Sequence, residues 1–202
     1  MKYIICLVFI CLSFTGYSKS KDLVPIVALQ NVLEQKGPWS SEKPKCKSMY
    51  IPPGSAIKLS VCAGWGMTTT FERNGKVLLA ESRFGDADFY YPYFVKTRNY
   101  DLLVAEIGAD LSWGVRIYNL KNGNVQYLGT LDIYPGDDYT YDSTDVVDII
   151  QFTDLGERVE ISFTGPHYWL DEKGIGHDID KDAYYYELTA DSIVKIENKK
   201  SD

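Results

Sequence analysis

Three aspartates alternate in "GIGHDIDKDAYYYEL", residues 174–188, at Asp178, Asp180 and Asp182, next to His177. Carboxylates spaced by two can converge on one hard cation, as positions 1, 3 and 5 of a helix-flanked calcium loop do. That loop also needs glycine at position 6 and a bidentate carboxylate at position 12. Here those positions hold Ala183 and Thr189. The stretch is therefore expected to be a polar turn, opened by Gly174 and Gly176, that leads into a strand at "YYYEL". An irregular calcium loop using Asp178, Asp180 and Asp182 is the alternative. His167 and His177 are the only histidines, and zinc would require them to meet across a hairpin with one aspartate. No metal or cofactor is assigned.

A second acidic stretch, "YPGDDYTYDSTDVVD", spans residues 134–148. Tyr134, Asp137, Asp138, Tyr139, Tyr141 and Asp142 combine large aromatic area with carboxylates able to pair with Arg or Lys. These six residues are read as a protein-binding surface, set against a solubilising loop with Asx turns. Trp65, Trp113 and Trp169, the first two beside glycines, are platforms on which a sugar ring could stack, set against core packing. Nucleophilic catalysis lacks its signatures: no serine sits in a G-x-S-x-G elbow, and no cysteine is expected to be free. Paired carboxylates for glycoside hydrolysis cannot be singled out among 28 acidic residues. No glycine-rich phosphate loop runs from a strand into a helix.

The compartment follows from the first twenty residues. A short basic head, the apolar run Ile4–Phe14 and small polar residues to Ser20 have the layout of a secretory leader, residues 1–20. The run is too short to span a bilayer, which takes about 20 apolar residues. Ile10 before Cys11 argues against a lipid anchor. Export to the periplasm or the extracellular space is expected. Removal of residues 1–20 takes Cys6 and Cys11 with it, leaving Cys46 and Cys62 to pair in an oxidising environment. It also removes two of 21 basic residues, so the net charge falls from −7 to near −9. Such a surface repels phosphate backbones, which excludes nucleic acid as a natural partner and is compatible with a basic protein. No later segment is apolar enough to span a membrane as a helix.

The elements that must position these residues read as strands after an opening helix. Residues 22–37 place Ile26, Leu29 and Leu33 on one helical face, with Pro25 near the start and Gly37–Pro38 at the stop. Residues 38–55 read as a connection, so 21–55 forms an N-terminal helix with a disulfide-tethered link. Residues 56–197 follow as a β domain, and 198–202 as a polar tail. Within the β domain about ten short strands alternate with turn signals, the strongest being Asn74-Gly75. Pro92 in "DFYYPYFVK" points to an edge or bulge, and "VVDIIQF", residues 146–152, reads as a strand. The expected class is all-β, an antiparallel sandwich or barrel-like meander. A small β-propeller is the alternative, since "DLLVAEIGADLSWGVRIYNLKNGNVQYLG" and "DIIQFTDLGERVEISFTGPHYWLDEKG" share one rhythm.

Composition, the cysteine pair and the missing catalytic signatures point to an exported binding protein. Its most concrete form is an inhibitor or immunity-type protein that holds a basic protein through the acidic, tyrosine-rich stretch. A carbohydrate- or envelope-binding module and a hydrolase with paired carboxylates are the rival readings.

Overall fold

The computed structural model describes residues 21–32, 45–64, 66–82, 84, 87–109, 112–131, 133, 146–170 and 176–198. The secretory leader expected at 1–20 lies outside these residues. The N-terminal segment forms two short strands, β1 (Asp22–Val24) and β2 (Ile26–Ala28). A first meander follows: β3 (Lys45–Tyr50), β4 (Lys58–Gly64), β5 (Gly66–Arg73) and β6 (Lys76–Ser82). A second runs through β7 (Phe89–Lys96), β8 (Asp101–Gly108), β9 (Ser112–Asn119) and β10 (Gln126–Leu131), with β2 added on the β7 edge. One helical turn, α1 (Val146–Ile149), leads into β11 (Ile150–Asp154) and β12 (Val159–Phe163). A separate hairpin pairs β13 (His167–Leu170) with β14 (Gly176–Ile179). Finally, β15 (Tyr184–Leu188) and β16 (Ile193–Glu197) complete a third sheet in the order β1-β11-β12-β15-β16.

The sheets are antiparallel and stack in layers, with the second in the middle. Along β8, Leu103, Ala105 and Ile107 enter one core with Leu59, Val61 and Phe71 of the first sheet. Leu102 and Val104 enter the other, with Phe152 and Ile161 of the third. Because both faces are covered, β8 is buried from Leu102 to Gly108 and, apart from Glu106, reads as an apolar run rather than an alternating one. The expected all-β antiparallel class is what the chain adopts. Of its two forms, the layered one is present: the described residues contain no closed barrel. The shared rhythm noted in the sequence corresponds to successive meanders that follow one another as propeller blades do. They number three, fewer than the four or more that typically close a propeller.

Four local expectations are corrected. The helix expected over 22–37 is absent over its described part, residues 22–32, where Asp22–Val24 and Ile26–Ala28 are strands. Pro25 removes a helical donor, biases Val24 to extended backbone, and sits among the stiff β-branched residues Val24, Ile26 and Val27. Residues 33–37 lie outside the described residues. The link expected over 38–55 contains β3, the terminal strand of its sheet. "VVDI" is a helical turn, not strand, and so buries three of its four side chains, Val146, Val147 and Ile149. Of the turn expected with Gly174 and Gly176, Gly176 instead opens β14, the turn into "YYYEL" is made at 180–183, and Gly174 lies outside the described residues.

Other local signals are realised directly. Asn74 and Gly75 have φ of 52° and 78°, as a type I′ hairpin requires, between Arg73 and Lys76. Gly54, at φ 70°, closes the β3–β4 turn, where Ser55 N–H donates to Pro52 O. Pro92 lies at the point where β2 runs out: its carbonyl still accepts the Leu29 N–H at 3.0 Å, and its missing donor falls on the open edge beyond. Cys46 and Cys62 are directly opposed on β3 and β4 and form a disulfide. The loop it closes, with a sequence separation of 16, gives a chain-entropy stabilisation of about 3 kcal/mol. A Cys46→Ser/Cys62→Ser variant is expected to lose up to about 3 kcal/mol in urea denaturation. An unchanged midpoint would mean that the β3–β4 hairpin stays ordered in the unfolded chain without it.

Candidate functional site

The two ends of the stack differ in construction. Arg73, closing β5, donates to Gly123 O between β9 and β10, and Asn119, closing β9, donates to Ala190 O between β15 and β16. The turns at 51–57, 74–75, 97–100, 120–125, 155–158 and 189–192 therefore share one end. Strand alternation puts the strand ends that flank 64–66, 83–88, 109–111, 132–149 and 164–183 at the other.

The first end is short and interlocked. Asp154, 3 % exposed, accepts from the Arg98 backbone N–H at 2.8 Å, from Arg98 Nε at 3.2 Å and from the Gly156 N–H at 2.7 Å. Burial raises the Asp154 pKa, but these donors and the guanidinium charge outweigh it and leave the carboxyl below its usual range. Asn99 Nδ2 donates to Gly156 O, the Tyr100 hydroxyl donates to Glu157 O, and Arg98 also reaches Asp22 at 3.5 Å. Nearer mid-strand, Arg116 and the Tyr118 hydroxyl both donate to Glu81, tying the second sheet to the first. Burial pushes the Tyr118 hydroxyl well above its ordinary pKa, so it stays a donor.

The sequence that joins the strands at the second end is longer and more acidic. Its connections carry fourteen Asp and Glu against Arg83, Lys173 and Lys181, whereas those of the interlocked end carry Glu157 and Asp191 against Arg98, Lys121 and Arg158. The proposed binding residues Tyr134, Asp137, Asp138, Tyr139, Tyr141 and Asp142 lie outside the described residues. The chain leaves for them from Leu131 and Ile133, both fully buried, and returns at the buried Val146. Val146 N–H donates to Glu106 Oε1 at 3.3 Å, and Glu106 is 3 % exposed in the middle sheet. This buried carboxylate, bonded where the chain returns at Val146, was missed by the sequence reading, because "DLLVAEIG" presents Glu106 as one polar position in a strand.

The hairpin at this end rests on His167. Its ring stacks on Phe163 with centroids 3.9 Å apart, and Nε2 lies 2.7 Å from the Tyr184 hydroxyl. Burial lowers the His167 pKa, and the charge of Lys195 adds to this against an opposing backbone bond at Gly165. His177 is opposite Trp169 in the same hairpin and is exposed, while His167 faces Ile179. Asp178 lies on β14, whereas Asp180 and Asp182 form a turn in which Asp180 Oδ1 accepts the Asp182 N–H. Among the described residues no three His, Cys, Asp or Glu side chains are placed to hold a metal.

Trp113 is half-buried and packs against the core between the first and second sheets. Trp65 lies outside the described residues. A groove of about 190 Å³ beside β2 is lined by Ala28, Leu29, Tyr50, Tyr91, Pro92 and Tyr93 and has no carboxylate. A second, of about 280 Å³ at the interlocked end, has Asp101, which pairs with Lys96 at 3.3 Å. Neither brings together the two carboxyl groups that glycoside hydrolysis uses. In comparisons with known protein families, curated proteins and solved structures, this chain matches none.

Two pH windows follow from the geometry. His167 has a lowered folded pKa, so its contribution to stability is complete above the unfolded value of about 6.5 and is lost as pH falls below it. Asp154 acts lower, its contribution being complete above about pH 4 and lost as pH falls through its depressed folded pKa. Melting temperature measured from neutral to acid pH is expected to decline from about pH 6.5 downward. His167→Gln should remove the upper part of that decline, and a variant that keeps it would refute the assignment to His167.

Proposed function

We propose that this chain is an exported binding protein whose acidic connection end receives a basic protein partner. The observation that carries the reading is the segregation of connections along the strand axis. One end is reduced to tight turns locked together by side-chain hydrogen bonds. The strands that meet the other are joined by longer stretches of sequence, which carry most of the carboxylates in connecting segments. Loops set on a rigid scaffold are where recognition residues concentrate. A one-signed field at such a face speeds encounter with an oppositely charged partner. Within it, Tyr134, Asp137, Asp138, Tyr139, Tyr141 and Asp142 are the proposed contact residues, with the tyrosines as anchors and the aspartates as pairing groups. The buried Ile133 and the bond from Val146 to Glu106 support it by fixing the points where this connection leaves and rejoins the stack.

Export is supported by the disulfide, a bond that persists in oxidising compartments. The leader-like residues 1–20 point the same way. The most concrete role is that of an inhibitor or immunity-type protein acting in the periplasm or outside the cell, with a toxin or enzyme as the basic partner. Catalysis is not part of the proposal.

The test is capture of basic proteins from the native exported fraction by the immobilised wild-type chain and by Asp137→Asn/Asp138→Asn/Asp142→Asn. Capture that weakens with salt and drops by about tenfold or more in the triple variant is expected, equivalent to about 1.4 kcal/mol or more. Capture indifferent to both would remove the acidic connection as the contact surface.

A further inference from the structure

Among the described residues, the β13–β14 hairpin pairs with no strand of the three larger sheets. A lone two-stranded hairpin is marginal in water, so side chains must seat it. Ile179 packs against the core between the second and third sheets, and His167, directly opposite it, is 1 % exposed. The His167 ring lies flat on Phe163 of β12 and meets Tyr184 of β15 edge-on, with Nε2 at 2.7 Å from the Tyr184 hydroxyl. Nδ1 is also enclosed and, beyond the backbone contact at Gly165, has no hydrogen-bond partner among the described residues. The groups packed around this ring bring it no negative charge. β12 presents Phe163, β15 presents Tyr184 and Tyr186, and β16 presents Lys195, whose Nζ sits 3.9 Å above the Tyr184 ring. On β14, His177 lies two positions along the same strand face and is exposed, while Asp178 alternates to the opposite face.

We infer that His167 is a proton-operated latch: neutral, it seats the β13–β14 hairpin on the third sheet, and protonated, it releases the hairpin while the three larger sheets stay paired. A neutral imidazole gives one hydrogen bond and takes one, and the Tyr184 hydroxyl serves either tautomer at Nε2. Protonation makes both nitrogens donors. It also places a positive charge, out of water, where the charge that acts on the ring is the ammonium of Lys195. Swinging out returns the imidazolium to water and takes it away from that ammonium. No described backbone hydrogen bond ties 167–170 or 176–179 to another sheet, so the hairpin can leave without unzipping β12 from β15. Opening bares the rings of Phe163 and Tyr184, 6 % and 5 % exposed when the hairpin is seated. The seated ring takes up its proton less readily than the freed one, so the latch is shut above about pH 6.5 and loosens as pH falls below it.

Amide hydrogen exchange of the purified chain between pH 7 and pH 5, corrected for the intrinsic pH dependence of exchange, tests this. Protection of the β13 and β14 amides is expected to fall by up to about tenfold per pH unit below about pH 6.5, the slope of one proton. Amides of β4, β8 and β12 should keep theirs. His167→Gln, which can still bond the Tyr184 hydroxyl, should abolish the fall, and His177→Gln should leave it in place. Lys195→Met removes the repelling ammonium and should shrink the fall, which serves as the check if the His167 variant folds poorly. Hairpin protection that ignores pH, or that falls in step with β4 and β8, would overturn the latch. So would a fall that persists in His167→Gln, disappears in His177→Gln or is unmoved by Lys195→Met.

Discussion

Backbone hydrogen bonds along the N-terminal strap, residues 22–32, reach all three sheets. β1 pairs with β11 in the third, β2 pairs with β7 in the second, and the Val32 N–H donates to Met49 O on β3 in the first at 2.7 Å. Each such bond contributes about 1 kcal/mol net. Its larger effect is geometric. The strap crosses the first strand of every meander in the reverse of their order along the chain. Val24 and Ile26 point inward from it against the core between the second and third sheets, and Leu29 packs against the core between the first and second. One continuous segment thus fixes the spacing and order of layers that are otherwise joined by side-chain packing and a few cross-sheet bonds.

That fixed stacking is what gives the molecule two unlike ends. With the layers in register, short turns from neighbouring sheets come within hydrogen-bonding reach, and Arg98, Asp154, Asn99 and Tyr100 use that reach. The long connections are collected at the opposite end by strand alternation alone. A buried Glu106 and a buried His167 then serve as local footings, one for the acidic connection and one for the β13–β14 hairpin.

Much of this was legible wherever the determining signal was short-range. Asn74-Gly75 specifies its turn through the positive φ that both residues accept, and Cys46 and Cys62 are sixteen residues apart in a chain with a leader-like start. "YYYEL" and "SIVKIE" became strands as read. What could not be read depends on distant partners. The strap looked helical because Ile26, Leu29 and Leu33 fit a 3.6-residue period. Nothing local announces that Leu23 will lie opposite Thr153, or Val27 opposite Phe94. β14 was hidden for a similar reason, since Asp178 takes its place in a strand through Tyr168 across the hairpin. Of the acidic regions, the composition of 134–148 was plain. Which end of the stack its flanking strands, β10 and β11, turn toward it emerged only from the order of the sheets.

The central claim is that the strap makes three layers behave as one body. Native-state hydrogen exchange on a Val24→Asp/Ile26→Asp variant tests it most directly, since both side chains face the core from the strap. The account predicts that amides of β11 and β12 lose protection through a partial opening well below the free energy that opens β4 and β5. In the wild type the two sets should open together. If all sheets of the variant kept wild-type protection, or lost it uniformly, the strap would not be the element that couples them.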